Sequence, residues 1–153
     1  MKIFPWQKKI EYFTVDEKQR IIAALREAEQ RTSGEVRVFV ESRCRFVDAL
    51  DRAAEIFFLL KMDMTEKRNA SLVYIAMRDR QYAVFGDEGI HKAVGEEFWK
   101  NEAQKMCEHF SRESYADGIC SIVKDIGIAL HYHFPYDGDK DKNELPDEIV
   151  FGE

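Results

Sequence analysis

The sequence predicts a three-layer α/β fold in which helices cover both faces of a small mixed sheet. EVRVFVE (35–41) places valine at every second position, as a strand does, and SLVYIAM (71–77) is a continuous apolar run typical of a buried central strand. A helical pattern between the two implies a right-handed parallel crossover. Arg78-Asp79 can then turn the chain into RQYAVF (80–85) as a hairpin, so the sheet is expected to be mixed.

Four helical segments complete the predicted order α–β–α–β–β–α–α. The first begins at Thr14, which forms a capping-box start with Glu17, and ends before Gly34. The spacing of apolar residues predicts the other three helices over 46–60, 94–110 and 115–131.

The formal charge of the 153-residue chain is −6, and it is concentrated at one end. Residues 137–153 contain seven acidic residues and two lysines, a net charge of −5, so residues 1–136 carry about −1. We therefore expect a single domain over 1–136, ended by Pro135, and an acidic C-terminal segment over 137–153. A nearly neutral body offers no basic surface for nucleic acid or for an anionic membrane.

The cysteines and the apolar runs predict a cytoplasmic protein. Cys44, Cys107 and Cys120 form no CxxC motif, and an odd number of cysteines is a poor disulfide framework. Pro5 and Lys8 interrupt the apolar residues at the N-terminus, so no signal peptide is expected. The longest apolar runs fall far short of the ~20 residues that span a bilayer, so no membrane insertion is expected.

Carboxylates near the carboxyl ends of the two parallel strands predict a divalent-cation site. Glu41 ends the first strand, Asp79 ends the second, and Asp48 lies near the start of the intervening helix. Ligands favour this edge of an open α/β sheet, and oxygen ligands suit Ca²⁺ or Mg²⁺. Asp48 as a helix N-cap and Asp79 as a turn residue are the alternative interpretations.

The acidic segment contains a second candidate cation site. Positions 1, 3, 5, 7 and 12 of an EF-hand-like loop are occupied by Asp137, Asp139, Asp141, Asn143 and Glu148. Lys142 stands where such a loop needs glycine, and Pro146 prevents a helix from starting there, so the segment is not an EF-hand. A flexible calcium-binding loop and a solvated acidic connector remain as alternatives.

Phosphoryl transfer has little direct support in the sequence. No cysteine is followed by arginine at the Cys-x5-Arg spacing, D-x-D occurs only within 137–141 beyond the last helix, and no GxxxxGK[ST] loop is present. Such chemistry would therefore need a bound metal ion, and Asp79 is the candidate catalytic residue.

Four phrases of the chain, in this order, resemble the TPM domain: TSGEVRVFVES, AAEIFFLLKM, TEKRNASLVYIAMRDRQYAVFGDEGI and NELPDEIVFG. That family is named for thylakoid-lumen, photosystem II repair and levamisole-receptor modulating proteins, and the chain is similar to its short soluble bacterial branch. The resemblance covers roughly residues 14–151. It implies a Rossmann-like α/β/α sandwich on which the final residues dock, and it makes Asp87 a further candidate metal ligand.

The same resemblance implies Ca²⁺ binding in some members, weak acid phosphatase activity in a plant member, and an association of bacterial members with LemA-type membrane proteins. We therefore expect a cytoplasmic accessory or interaction domain that binds a divalent cation, Ca²⁺ in preference to Mg²⁺, through carboxylates. The alternative is a metal-dependent acid phosphatase of low activity on small phosphomonoesters.

Overall fold

The protein is described from a computed structural model, over residues 11–45, 48–136 and 149–152. The helices are α1 (Val15–Gln30), α2 (Ala49–Leu59), α3 (Glu88–Val94), α4 (Glu96–Ser111) and α5 (Tyr115–His133). The strands are β1 (Glu35–Glu41), β2 (Ala70–Ala76), β3 (Gln81–Gly86) and β4 (Ile149–Phe151). Over these ranges the fold is α/β, with five helices and a four-strand mixed sheet, so the predicted fold class is confirmed at that level.

The sheet has the strand order β3-β2-β1-β4. β1 lies parallel to both β2 and β4, and β3 lies antiparallel to β2. The predicted parallel crossover and the predicted hairpin are therefore both confirmed. Every residue of β1 and of β2 is buried, as expected for strands with a neighbour on each edge.

Two clusters of buried residues lie on opposite faces of this sheet. Val38 and Val73 are paired in register and belong to the cluster that includes residues of α1, α4 and α5. The next pair in register, Phe39 and Tyr74, belongs to the other cluster, together with Phe57 of α2. Because side chains alternate along a strand, consecutive residues of β1 and β2 hold helices on both sides.

The region between β3 and α4 differs from its prediction. Asp87 begins the short helix α3 as its N-cap, a helix that the predicted order of elements did not contain. A Cβ on Gly89 would lie 2.2 Å from the carbonyl oxygen of Lys67, so glycine allows this helix to pack against the preceding loop. Gly95, with φ of +81°, then separates α3 from α4, the helix that was predicted to begin at Val94.

Two further boundaries differ. The helix predicted from residue 46 begins at Ala49 in the structure, and residues 46 and 47 lie outside the described ranges. β4 was not predicted as a strand, and it is short. It is held on the free edge of β1, where the Gly152 N–H donates to the Val40 carbonyl at 2.7 Å.

Helices α1 and α5 pack side by side and run in the same direction. Arg20 pairs with Asp117 near the start of both helices, and the His131 ring is 2.9 Å from the Arg31 carbonyl oxygen near their ends. No helix within the described ranges is both long enough and apolar enough to cross a membrane.

Candidate functional site

The carboxyl end of β1 opens into a cavity of about 650 Å³ beside α2. Ligands of open α/β sheets bind at this edge, which is where the sequence predicted a cation site. The cavity is lined by Phe39, Glu41, Ser42, Arg43, Arg45, Arg52, Glu55 and Gly152. Three arginines against two glutamates give this lining a formal charge of +1, which opposes the capture of a cation.

Glu41 is buried and surrounded by hydrogen-bond donors. Its Oε2 accepts from the Arg52 Nε–H and its Oε1 from the Arg52 Nη2–H, each at 2.9 Å. The Tyr74 hydroxyl also donates to Oε2. A bidentate guanidinium is the planar partner that best fits a carboxylate, so Arg52 already supplies the positive charge that Glu41 needs.

Both donors hold their protons more strongly than usual. Burial raises the pKa of Tyr74, and the hydrogen bond to Glu41 raises it further. The hydrogen bonds to Glu41 also raise the pKa of Arg52. A metal ion at Glu41 would therefore have to displace a guanidinium and leave it without its buried counter-charge.

Asp79 and Asp48 are engaged by the main chain. Asp79 is exposed in the turn between β2 and β3, where its Oδ2 accepts the Cys44 N–H at 2.8 Å. Asp48 caps α2 and accepts the Leu50 N–H at 2.9 Å. The structure does not bring these two and Glu41 together as a ligand set. Within the ranges described, no three His, Cys, Asp or Glu residues could hold a metal ion.

Asp87 forms a separate structural cluster. Its carboxylate is 3% exposed and accepts two hydrogen bonds from Arg68, at 2.7 and 2.8 Å, and one from the Glu88 N–H at 2.8 Å. Its own N–H donates to the carbonyl of Ala70, the first residue of β2, so it lies at the opposite end of that strand from Asp79. These contacts join α3 to the loop before β2.

The remaining candidate ligands, Asp137, Asp139, Asp141 and Glu148, lie outside the described residues, so the EF-hand-like spacing stays a prediction. The structure describes the residues that precede and follow this segment. On one side the Tyr136 N–H donates to the Arg31 carbonyl at 3.0 Å, and on the other Ile149 begins β4.

Arg52 and Tyr74, the two hydrogen-bond partners of Glu41, were not among the predicted site residues. One feature of the sequence could have predicted them. A tyrosine in an otherwise apolar central strand needs a partner for its hydroxyl group, and the acid at the end of the neighbouring strand is the nearest acceptor. Arg52 would follow, because a buried carboxylate needs a cation.

A second polar cluster, between α4 and α5, was also missed. Glu102 is buried, and burial, together with the neighbouring Asp125 carboxylate, raises the pKa of Glu102 to about 8. Lys105 lies 2.8 Å from Asp125 and 3.8 Å from Glu102. The signal is a break in pattern, since Glu102 occupies the apolar stripe of α4 between Phe98 and Met106, at four-residue spacing.

Comparison with known families identifies the class of protein that has this fold. The chain belongs to the TPM domain family, because the family model of that description, named TPM phosphatase, matches residues 8–129. The comparison with curated proteins found no match.

Solved structures agree with this assignment. The chain is similar to the BA42 protein from the psychrophilic bacterium Bizionia argentinensis, determined by NMR, with 35% identity and a TM-score of 0.85. That match covers 95% of this chain and 99% of BA42. The N-terminal domain of the cg2496 protein from Corynebacterium glutamicum has a TM-score of 0.62 at 12% identity, over 90% of this chain and 80% of that domain, and this likeness shows the fold alone.

Proposed function

We propose that the protein is a cytoplasmic accessory or interaction domain that binds a divalent cation, Ca²⁺ in preference to Mg²⁺, through the carboxylates of residues 137–148. One observation carries the proposal: the candidate carboxylates of the body are each engaged by protein donors, as the contacts of Glu41, Asp79 and Asp87 describe. The other candidate ligands are Asp137, Asp139, Asp141 and Glu148, and carboxylate oxygens suit Ca²⁺.

Cation binding at this segment would act on β4. Residues 137–148 carry a net charge of −4 and connect the end of α5 to the edge strand. β4 pairs with β1 over three residues, so its attachment has few contacts to stabilise it. A cation that neutralises the connection favours the docked strand, and a ligand bound only by the docked state stabilises it in proportion to its concentration.

Thermal unfolding of the full chain tests the proposal. Millimolar Ca²⁺ is expected to raise the melting temperature, and a chelator is expected to reverse the rise. The triple variant Asp137→Asn, Asp139→Asn, Asp141→Asn should lose the response. A matched control, Asp51→Asn, Glu66→Gln, Glu97→Gln, removes three exposed carboxylates of the body and should keep it. No response in the parent chain, or equal responses in both variants, would overturn the proposal.

We also propose a cytoplasmic location and a protein partner. None of Cys44, Cys107 and Cys120 forms a disulfide within the described residues, which suits a reducing compartment. A LemA-type membrane protein is the first partner to test, because the family resemblance suggests it. Co-purification of the two proteins after co-expression would support that pairing.

The alternative is a metal-dependent acid phosphatase that uses Asp79. It requires hydrolysis of a small phosphomonoester such as p-nitrophenyl phosphate that depends on added metal and disappears in Asp79→Asn. No contact at Asp79 favours this alternative, because its Oδ2 holds a main-chain amide. Hydrolysis that depends on both added metal and Asp79 would support the enzymatic function in place of the accessory one.

We also infer that the arrangement is the three-layer, Rossmann-like α/β/α sandwich of the sequence prediction. The two buried clusters on opposite faces of the sheet and the parallel β1–α2–β2 unit support this finer description.

A further inference from the structure

We propose that the groove between α1 and α5 docks an acidic amphipathic helix of another protein. The inference deepens the interaction role proposed above and rests on that role, but it uses side chains of α1 and α5 and not the carboxylates of 137–148. Charge complementarity and exposed apolar side chains carry it.

The groove has the size and floor that a helix needs. It has a volume of about 570 Å³ and is lined on α1 from Arg20 to Arg31, which is three helical turns or roughly 16 Å. Small residues form much of its lining, including Ala23, Ala24 and Gly127. Short side chains let a third helix approach the backbones of the other two closely.

Apolar surface along α5 remains in contact with water. Ile128, on the groove, is 59% exposed, and Tyr132, one turn further on, is 81% exposed. Removing such side chains from water is favourable by about 25 cal/mol per Å² of apolar surface. The two therefore form a ridge that a partner helix can cover.

The charges of the groove select an acidic partner. Arg31 and Lys124 line it, and within the described part of the chain neither forms a salt bridge. Arg20, at the opposite end from Arg31, is paired with Asp117. Glu27 is the single acidic residue of the lining, so the groove is cationic on a chain whose formal charge is −6. Two cations beside apolar residues complement a helix with an aliphatic stripe flanked by glutamates.

Two other occupants fit these observations less well. In a symmetric contact between two copies the same surface meets itself, so Lys124 and Arg31 would face like charges. An anionic membrane is bound by clusters of about 4–8 basic residues, whereas this concave surface offers two, Arg31 and Lys124, that form no salt bridge with the residues described.

Amide NMR spectra of the ¹⁵N-labelled full chain test the proposal. The probe is a synthetic helical peptide of about 16 residues with leucine at every third or fourth position and glutamate elsewhere. We expect saturable shifts at Ala24, Lys124 and Ile128, and weaker binding at high salt, since exposed charges are screened. A second peptide with lysine in place of each glutamate should cause none of these shifts.

Substitutions in the groove test whether the glutamate peptide binds there. Lys124→Glu and Ile128→Asn should each weaken the glutamate peptide about tenfold, or about 1.4 kcal/mol. Lys100→Glu, the same charge change at an exposed position of α4, should not.

Several results would overturn the proposal: no binding of the glutamate peptide, equal binding of the lysine peptide, or an affinity unchanged by Lys124→Glu. Dimerisation of the chain, or binding to phosphatidylserine vesicles, that is lost in Ile128→Asn would assign the groove to a different occupant. The Ca²⁺-dependent melting shift is measured on the chain without peptide, so failure here and failure of cation binding are distinguished by separate measurements.

Discussion

The guanidinium of Arg52 donates two hydrogen bonds of 2.9 Å to the carboxylate of Glu41. This pair occupies the edge of the sheet where the strand ends predicted a cation site. Glu41 is 4% exposed, so its charge depends on the arginine and on the Tyr74 hydroxyl rather than on water. The carboxylate that the sequence placed among the candidate metal ligands is bound in the structure by a side chain of α2.

Replacing Arg52 by alanine should strongly destabilise the fold. The substitution leaves a buried carboxylate without its counter-charge, and breaking such a pair costs about 3 kcal/mol. Urea unfolding monitored by circular dichroism measures the loss. Arg43→Ala, at an exposed arginine of the same cavity, should change stability by less than about 0.5 kcal/mol. Equal effects of the two substitutions would show that Glu41 does not depend on the ion pair.

Glu102→Gln should make the protein more stable than the parent chain in alkaline solution. The folded state raises the pKa of Glu102 from 4.5 to about 8, so the favourable contribution of its protonated form is complete below the ordinary range of glutamate. It is lost as the pH rises towards about 8, because the unfolded chain then releases a proton that the folded chain retains.

Glutamine has nearly the same shape and does not titrate. The variant and the parent should therefore have similar stability near about pH 4 and differ by roughly 3 kcal/mol near about pH 9, in favour of the variant. Urea unfolding at the two pH values gives the comparison. A constant difference between the two proteins at both pH values would contradict the raised pKa.

Gly127→Ala should destabilise the contact between α1 and α5. A Cβ at this position would lie 2.7 Å from the Cβ of Ala28, closer than real Cβ atoms approach. Alanine gains about 1 kcal/mol in helix propensity, but overpacking costs about 1–3 kcal/mol, so a net loss of roughly 1 kcal/mol is expected.

The double variant Gly127→Ala, Ala28→Gly moves the methyl group from one helix to the other and should recover part of that loss. Melting temperatures of the four proteins in the cycle measure the coupling. The Cα of Ala28, 2.8 Å from the added Cβ, remains in the double variant, so the recovery should be partial. Additive effects of the two substitutions would mean that the Cβ of Ala28 does not oppose a side chain at position 127.

The elements that sequence predicted well are those whose pattern is local. The alternation in β1, the apolar run of β2 and the capping box of α1 all depend on residues close in the chain, and each is present in the structure. α3 and β4 could not be predicted from a local pattern. α3 has seven residues, and the glycine inside it is required by a distant carbonyl, while β4 depends on hydrogen bonds to β1.

The same limit applies to the candidate site. The position of Glu41 at the end of a strand could be predicted, but the neutralising role of Arg52 could not, because the two residues are eleven positions apart in the chain. Asp48 and Asp79 had two interpretations each, and the main-chain contacts fit the structural ones. Pairing between distant residues decides which carboxylates remain available, and periodicity carries no information about it.

Hydrogen exchange at the Gly152 amide tests whether Ca²⁺ bound to residues 137–148 favours the pairing of β4 with β1. This N–H donates to the Val40 carbonyl at 2.7 Å, so its exchange reports the opening of β4 from β1. If residues 137–148 bind Ca²⁺ and favour the docked strand, millimolar Ca²⁺ should slow this exchange about tenfold in the full chain, which corresponds to about 1.4 kcal/mol. The effect should vanish in Asp137→Asn, Asp139→Asn, Asp141→Asn. Exchange unchanged by Ca²⁺, or slowed equally in that variant, would contradict the account.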